Sequence, residues 1–219
     1  MKIFIWGAGG QGRVVLDILK ENKNFEIYGF LDSNKKLKGE IVDGVKVLGG
    51  KDVVRGLRER GIQAGIVAVG DNTARCQIAD FLKKNGFYLI NAIHPRASLA
   101  SNVILGSNVT VAAGAIICTH AVIKDNVIIN TGVIVEHENV IKDGALIASG
   151  VQLGGRVEIG KKSFIGIGAT IIQCLKIGSN SIIGAGAVVL DNIPEGSLAV
   201  GIPAKVIRKA KKNDLLLRI

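Results

Sequence analysis

The chain holds three histidines, and one of them stands between two carboxylates, in Val135-Glu136-His137-Glu138. An imidazole changes charge near neutrality, and a neighbouring carboxylate can orient one ring nitrogen while leaving the other free to take a proton. His137 is therefore the candidate general base, with Glu138 as its partner. His94, in Ile93-His94-Pro95, reads as structural, and His120 as a surface corner. A zinc centre needs convergent ligands, and histidines scattered at 94, 120 and 137 supply no such set, so no metal is expected.

The first residues offer a different chemistry. Lys2–Trp6 reads as a buried strand, followed by Gly7-Ala8-Gly9-Gly10-Gln11-Gly12 and an amphipathic helix to about Glu21. Glycines at that spacing let the backbone approach a diphosphate, and the start of the helix presents free N–H groups and a partial positive charge. A second strand over 25–31 ends at Asp32, twenty residues beyond Gly12, where a carboxylate can accept hydrogen bonds from ribose hydroxyls. A third apolar run, Ile66-Val67-Ala68-Val69, ends at Gly70. The crevice outside the C-terminal ends of such strands would collect Gly7 to Gly12, Asp32 and Gly70 in one place. About ninety residues is half a dinucleotide-binding fold, so a mononucleotide or nucleotide sugar fits better than NAD.

The element that must carry His137 is written with a period of six. From Val103 to Asn192 the chain divides into fifteen hexads, and the third residue of each is aliphatic, from Leu105 and Val111 through Val135 to Ile183 and Val189. That period fits neither an α-helix nor a hairpin meander; it is the signature of a parallel β-helix with three short strands per coil. The aliphatic positions point inward, while Ala113, Gly114, Ser149, Gly150, Gly154 and Gly166 occupy tight corners. With eighteen residues per coil, Gly155 stacks on His137. Its exposed N–H would suit a thioester carbonyl as that carbonyl turns tetrahedral. The fold class expected is an α/β Rossmann-like domain over 1–92 and an all-β parallel β-helix over 93–219.

Composition narrows the partners. No stretch of about eighteen uncharged apolar residues exists, so the mean hydropathy of +0.38 belongs to a buried core and no membrane span is expected. The net charge of +10 points to anionic partners, and the basic tail Arg208, Lys209, Lys211, Lys212 and Arg218 reads as a solvated end. Without interleaved aromatics or a reading helix, phosphorylated small molecules are favoured over nucleic acid. Cys118 and Cys174 are about three coils apart, too far for a disulfide, and with Cys76 are expected reduced. The opening MKIFIWGAGG lacks the marks of a leader peptide, and a cytoplasmic location is expected.

Taken together the motifs resemble the sugar O- and N-acyltransferases of the sialic acid acetyltransferase group, which include UDP-4-amino-sugar acetyltransferases. The matching segments are Ile5-Trp6-Gly7-Ala8-Gly9-Gly10-Gln11-Gly12, Gly29-Phe30-Leu31-Asp32, Ile93-His94-Pro95, the run from Ile129-Asn130-Thr131-Gly132 to Glu136-His137-Glu138, and Val200-Gly201-Ile202-Pro203-Ala204-Lys205. The resemblance implies a left-handed β-helix and a homotrimer with acetyl-coenzyme A along the solenoid between subunits. It implies His137 as base with Glu138 beside it, and Gly155, Ile167 and Ala185 against the thioester or pantetheine. It also implies Ala8, Gly9, Gly10, Asp32, Ser33 and Gly70 lining a nucleotide-sugar site. The chain departs from the family at Gln11, often histidine, and at the coenzyme-side position Leu146, often a second histidine. The activity implied is acetylation of the amine of a nucleotide-linked amino sugar. O-acetylation of a sugar and a non-catalytic nucleotide-sugar-binding scaffold are the alternatives.

Overall fold

A computed structural model describes residues 1–22, 24–211 and 214. Lys212 and Arg218 of the basic tail lie outside the described residues. The chain opens with β1 (Lys2–Trp6), α1 (Gly10–Lys20) and β2 (Glu26–Leu31), then β3 (Ile41–Val42), β4 (Val45–Gly49) and α2 (Val54–Glu59). β5 (Ala64–Val67), α3 (Asn72–Lys84) and β6 (Tyr88–Leu89) complete a sheet of order β3-β4-β2-β1-β5-β6. β1 lies between β2 and β5, parallel to both, so the chain leaves it in opposite directions and a crevice opens at its C-terminal end. α1 buries Val15, Leu16, Ile18 and Leu19 in the same cluster as Ile3, Ile5 and Phe30. Its approach is close: a side chain at Gly12 would begin 1.9 Å from the Gly7 carbonyl oxygen.

From Ala92 the chain becomes a left-handed parallel β-helix. Each hexad contributes a two-residue strand ending at its third position, and each strand pairs with one eighteen residues on, as Thr110–Val111 does with Ile128–Ile129. All of the fifteen third positions are buried except Leu105 in the first coil, which is partly so. That column forms the inner core, and no corner loop breaks it. The register begins earlier than Val103, with Ala92–Ile93 and Ser98–Leu99 already in phase. At the far end the last coil is two residues short, for Ile177 bridges to Ile193 and Ile183 pairs with Ala199. The chain then folds back in an antiparallel hairpin, Ser197–Gly201 with Ala204–Lys209. Arg208 is thereby held to Asp214 through two hydrogen bonds of 2.7 and 2.8 Å, so it is paired where a freely solvated side chain was expected.

The prism has three faces, which begin with the strands Ala92–Ile93, Ser98–Leu99 and Ile104–Leu105 and are called first, second and third. From Asn108 to Gly186 each corner places its last residue in the left-handed region, with φ between 55° and 70°. The identity of that residue differs by edge. Between the third and first faces stand Asn108, Asn126, Gly144, Lys162 and Asn180. Between the second and third stand His120, Glu138, Arg156 and Cys174. Between the first and second every one is glycine: Gly114, Gly132, Gly150, Gly168 and Gly186.

The third-to-first edge is where the N-terminal sheet docks, through buried polar groups. The Asn108 side chain accepts from the Val67 N–H at 2.7 Å, continuing the pairing of β5 beyond its last strand neighbour. The Asn72 amide, 2% exposed, donates to the carbonyls of Lys162 and Ser163 at 3.0 and 3.2 Å. Such directional contacts fix one register between the two halves, because a slip would leave buried donors unpaired.

Candidate active site

His137 lies at the second-to-third edge, in the corner that follows the strand Ile134–Val135. Its Nδ1 is 3.0 Å from Glu138 Oε2, and both side chains are about half exposed. An ionised carboxylate only accepts, so a proton shared there resides on Nδ1 and Nε2 keeps its lone pair. One coil further, Gly155 lies directly beneath the ring. A Cβ built on it would fall 2.5 Å from His137 Nε2 and 2.6 Å from Cε1. Glycine at 155 is thus what gives the imidazole its position; the residue is buried beneath the ring, where its place in the sequence suggested an exposed N–H, and among the described residues that N–H has no acceptor in the chain.

Behind this corner sits a residue that the periodicity gave no reason to single out as part of the site. Asn139 is fully buried; its amide donates to Gly154 O at 2.9 Å and to Glu136 O, while its oxygen accepts from the Val157 N–H at 3.0 Å. It therefore pins the peptides on either side of His137 and Gly155. The signal was present: most hexads begin with an aliphatic residue or alanine, and this one begins with asparagine. Cys118, one coil before Glu136, has its thiol pushed up by burial and then by Glu136, so it stays protonated and supplies no nucleophile.

The crevice of the N-terminal sheet gathers the other predicted residues. Asp32 accepts from the Ala8 N–H at 2.9 Å and the Asn34 N–H at 2.8 Å, so the carboxylate expected to meet a ribose also holds the glycine loop. Its oxygens retain further lone pairs for a ligand. Gly7 and Gly12 are required by crowding: a Cβ on Gly7 would lie 2.4 Å from Ala68 O, and that residue has φ +116°. Gly9, Gly10 and Gly70 have no atom within 4 Å of where a side chain would start. Gly9, Gly10, Ser33 and Gly70 face solvent, while Ala8 is buried in the loop. Gly9 caps α1 without a side-chain bond, leaving the first N–H groups of the helix open. Gln11 has its amide nitrogen buried with no acceptor.

Three predicted coenzyme contacts lie apart from His137. Ile167, 64% exposed, and Ala185 stack on the first-to-second edge, one coil apart, beside Gly168 and Gly186. Leu146 faces outward on the first face and is 7% exposed, packed with Ile128, Ala148 and Phe164. His120 meets the Asn102 amide, 3.2 Å from Nε2, and His94 is buried with Nδ1 accepting from the Arg96 N–H at 3.0 Å. Among the described residues, no group of three or more His, Cys, Asp or Glu side chains is placed to hold a metal ion, and no helix is long and apolar enough to cross a membrane.

A family model described as the PglD N-terminal domain matches residues 2–82, and one described as bacterial transferase hexapeptide (six repeats) matches residues 156–191. PerB from Caulobacter crescentus, solved with CoA and GDP-perosamine, is 35% identical; the match covers 95% of this chain and 98% of that one, with a TM-score of 0.90. The chain belongs to the hexapeptide-repeat sugar acyltransferases. Another solved relative is the acetyltransferase domain of PglB from Neisseria gonorrhoeae FA1090, in complex with acetyl coenzyme A, at 33% identity, 94% and 98% coverage and a TM-score of 0.87. A further Caulobacter structure, of GDP-perosamine N-acetyltransferase, carries alanine in place of one histidine and has 34% identity, 95% and 98% coverage and a TM-score of 0.92.

Proposed function

We propose that the chain transfers an acetyl group from acetyl-coenzyme A to the amine of a nucleotide-linked amino sugar. The observation that carries the reading is the His137 corner: Nδ1 held by Glu138, and Nε2 set directly over Gly155. The substrate ammonium first releases one proton to solvent, and Nε2 removes a second from the neutral amine nitrogen as its bond to the acetyl carbon forms. Glu138 stabilises the ring while it is charged. The Gly155 N–H donates to the carbonyl oxygen as negative charge develops on it. The proton held on His137 then leaves with the thiolate as the carbon–sulfur bond breaks, so no protein acyl intermediate is formed. Solved relatives with CoA and GDP-perosamine, or with acetyl coenzyme A, support this choice of substrates.

The nucleotide-sugar side of the reading rests on the crevice at β1. Gly9 and Gly10 lack a side chain where the protein itself leaves room for one, which makes sense if a diphosphate comes there. Asp32→Ala is expected to raise KM for the nucleotide sugar by about tenfold to a hundredfold, the range for a charge-assisted hydrogen bond, with KM for acetyl-coenzyme A unchanged. An unchanged sugar KM, or a larger effect on the coenzyme, would show that the loop serves another ligand.

The glycine edge is the argument for assembly. The same left-handed corner is occupied by His120, Glu138, Arg156, Asn126 and Lys162 elsewhere, so the backbone alone does not require glycine. Gly132, Gly168 and Gly186 have nothing within 4 Å of a built Cβ. The bare edge leaves room for a neighbour from outside the chain. A homotrimer in which the glycine edge of one subunit, with Ile167 and Ala185, meets the His137 edge of the next would bring both predicted contact sets to one coenzyme. Gly168→Asn tests this, since asparagine adopts that corner at Asn108, Asn126 and Asn180. The variant is expected to stay folded by circular dichroism and to lose trimer formation in ultracentrifugation, or coenzyme affinity by calorimetry. A wild-type trimer with wild-type affinity would refute the role of the edge.

A further inference from the structure

Arg75 is fully buried, and its guanidinium meets no carboxylate within salt-bridge distance among the described residues. Its partners are oxygens of amides. Nη1 donates to Val69 O at 2.8 Å and Gly70 O at 3.2 Å; Nε donates to Asn126 O at 2.9 Å; Nη2 donates to Asn72 Oδ1 and Gly144 O, both at 2.8 Å, and to Ala145 O at 3.4 Å. Burial lowers the guanidinium to about 10, so it is still charged at neutral pH. A buried charge with no carboxylate in contact is costly even though Asp71 favours it through space, and a junction that needed only stability would be served as well by apolar packing.

The geometry of the peptides shows what this arginine can do. The carbonyl and N–H of one trans peptide point in opposite directions. With the carbonyls of Val69 and Gly70 turned inward to Arg75, the N–H groups of Gly70 and Asp71 turn away from it, and neither has an acceptor within the described chain. The segment adjoins the glycine loop, since Ala68 O is what a side chain on Gly7 would strike. We propose that Arg75 is a positioning residue for the nucleotide-sugar substrate: it holds the Gly70 loop with its N–H groups toward the crevice and ties that loop to the coils at Asn126 and Gly144. The crevice and the solenoid edge bearing His137 are thereby held in one register. This inference rests on the nucleotide-sugar reading of the crevice.

The test compares the full-length wild type with Arg75→Lys, Arg75→Gln and Asn108→Ala, each assayed well below its own melting temperature with a nucleotide amino sugar that the wild type acetylates. Lysine keeps the charge but cannot span the two peptides and both coils as the fork does. Arg75→Lys is expected to raise KM for the sugar substrate by about tenfold, with KM for acetyl-coenzyme A within about twofold of wild type, and Arg75→Gln to raise it further. Asn108→Ala, which loosens the same junction at Val67, should lower the melting temperature and leave the sugar KM near wild type. A normal sugar KM in folded Arg75→Lys, an equal rise in Asn108→Ala, or failure of both Arg75 variants to fold would overturn the proposal and leave Arg75 a structural residue. A wild type that acetylates none of the nucleotide amino sugars offered contradicts the crevice reading itself, and the inference built on it falls too; this is read in the wild type alone, apart from the variants.

Discussion

Replacing His137 with alanine is expected to lower kcat by roughly 10²–10⁴-fold, the range for removal of a general base, while affinity for acetyl-coenzyme A stays close to wild type. The reasoning is geometric. His137 is half exposed at a corner, touches Glu138 through one nitrogen, and contributes nothing to the buried column, so its loss leaves the coil intact. The effect should therefore appear in the chemical step, with an unchanged melting temperature. Calorimetry with the coenzyme and steady-state rates on the same preparation check both halves, and retention of more than about half the activity would remove His137 from the mechanism.

Gly155→Ala is expected to cost nearly as much with a single methyl group. The new carbon would begin 2.5 Å from His137 Nε2, closer than any real contact, so the ring must swing off its position over the amide. A displacement on the order of 1 Å at a reacting group can cost about a hundredfold in rate. Gly155 does not have a left-handed backbone, so alanine adds no strain of its own and the melting temperature should hold. The two substitutions should not add: in His137→Ala the methyl group has no ring to displace, and the double variant should match His137→Ala alone. Additive losses would mean that Gly155 acts independently of the histidine.

Much of this was legible in residue spacing, because a β-helix converts sequence distance into height. The eighteen-residue coil placed Gly155 on His137 before any coordinates, and the fifteen aliphatic third positions became the inner column. The first strand was legible to its ends, since Lys2–Trp6 is bounded by a charged residue and a glycine. What the spacing did not give were features set by contacts across the junction. Arg75 and Asn72 are polar residues of α3, and only the docking of that helix on the corners at Asn126, Gly144 and Lys162 buries them. Leu146 occupies an outward hexad position, yet it is buried among Ile128, Ala148 and Phe164, and a period of six cannot report what covers an outer face. The closing hairpin was hidden for a related reason: the last coil drops two residues, and the period ends there.

The central claim is acetyl transfer to a nitrogen of a nucleotide-linked sugar, and one measurement meets it directly. Purified protein is incubated with acetyl-coenzyme A and each of a series of UDP-, GDP- and dTDP-linked amino sugars, with free thiol release followed and the product weighed by mass spectrometry before and after hydroxylamine. The reading predicts that at least one sugar gains a single acetyl group in step with coenzyme A release, that the product resists hydroxylamine as an amide does, and that His137→Ala slows its formation by roughly 10²–10⁴-fold. Absence of transfer to every sugar offered, or a product that hydroxylamine cleaves as an ester, would contradict it.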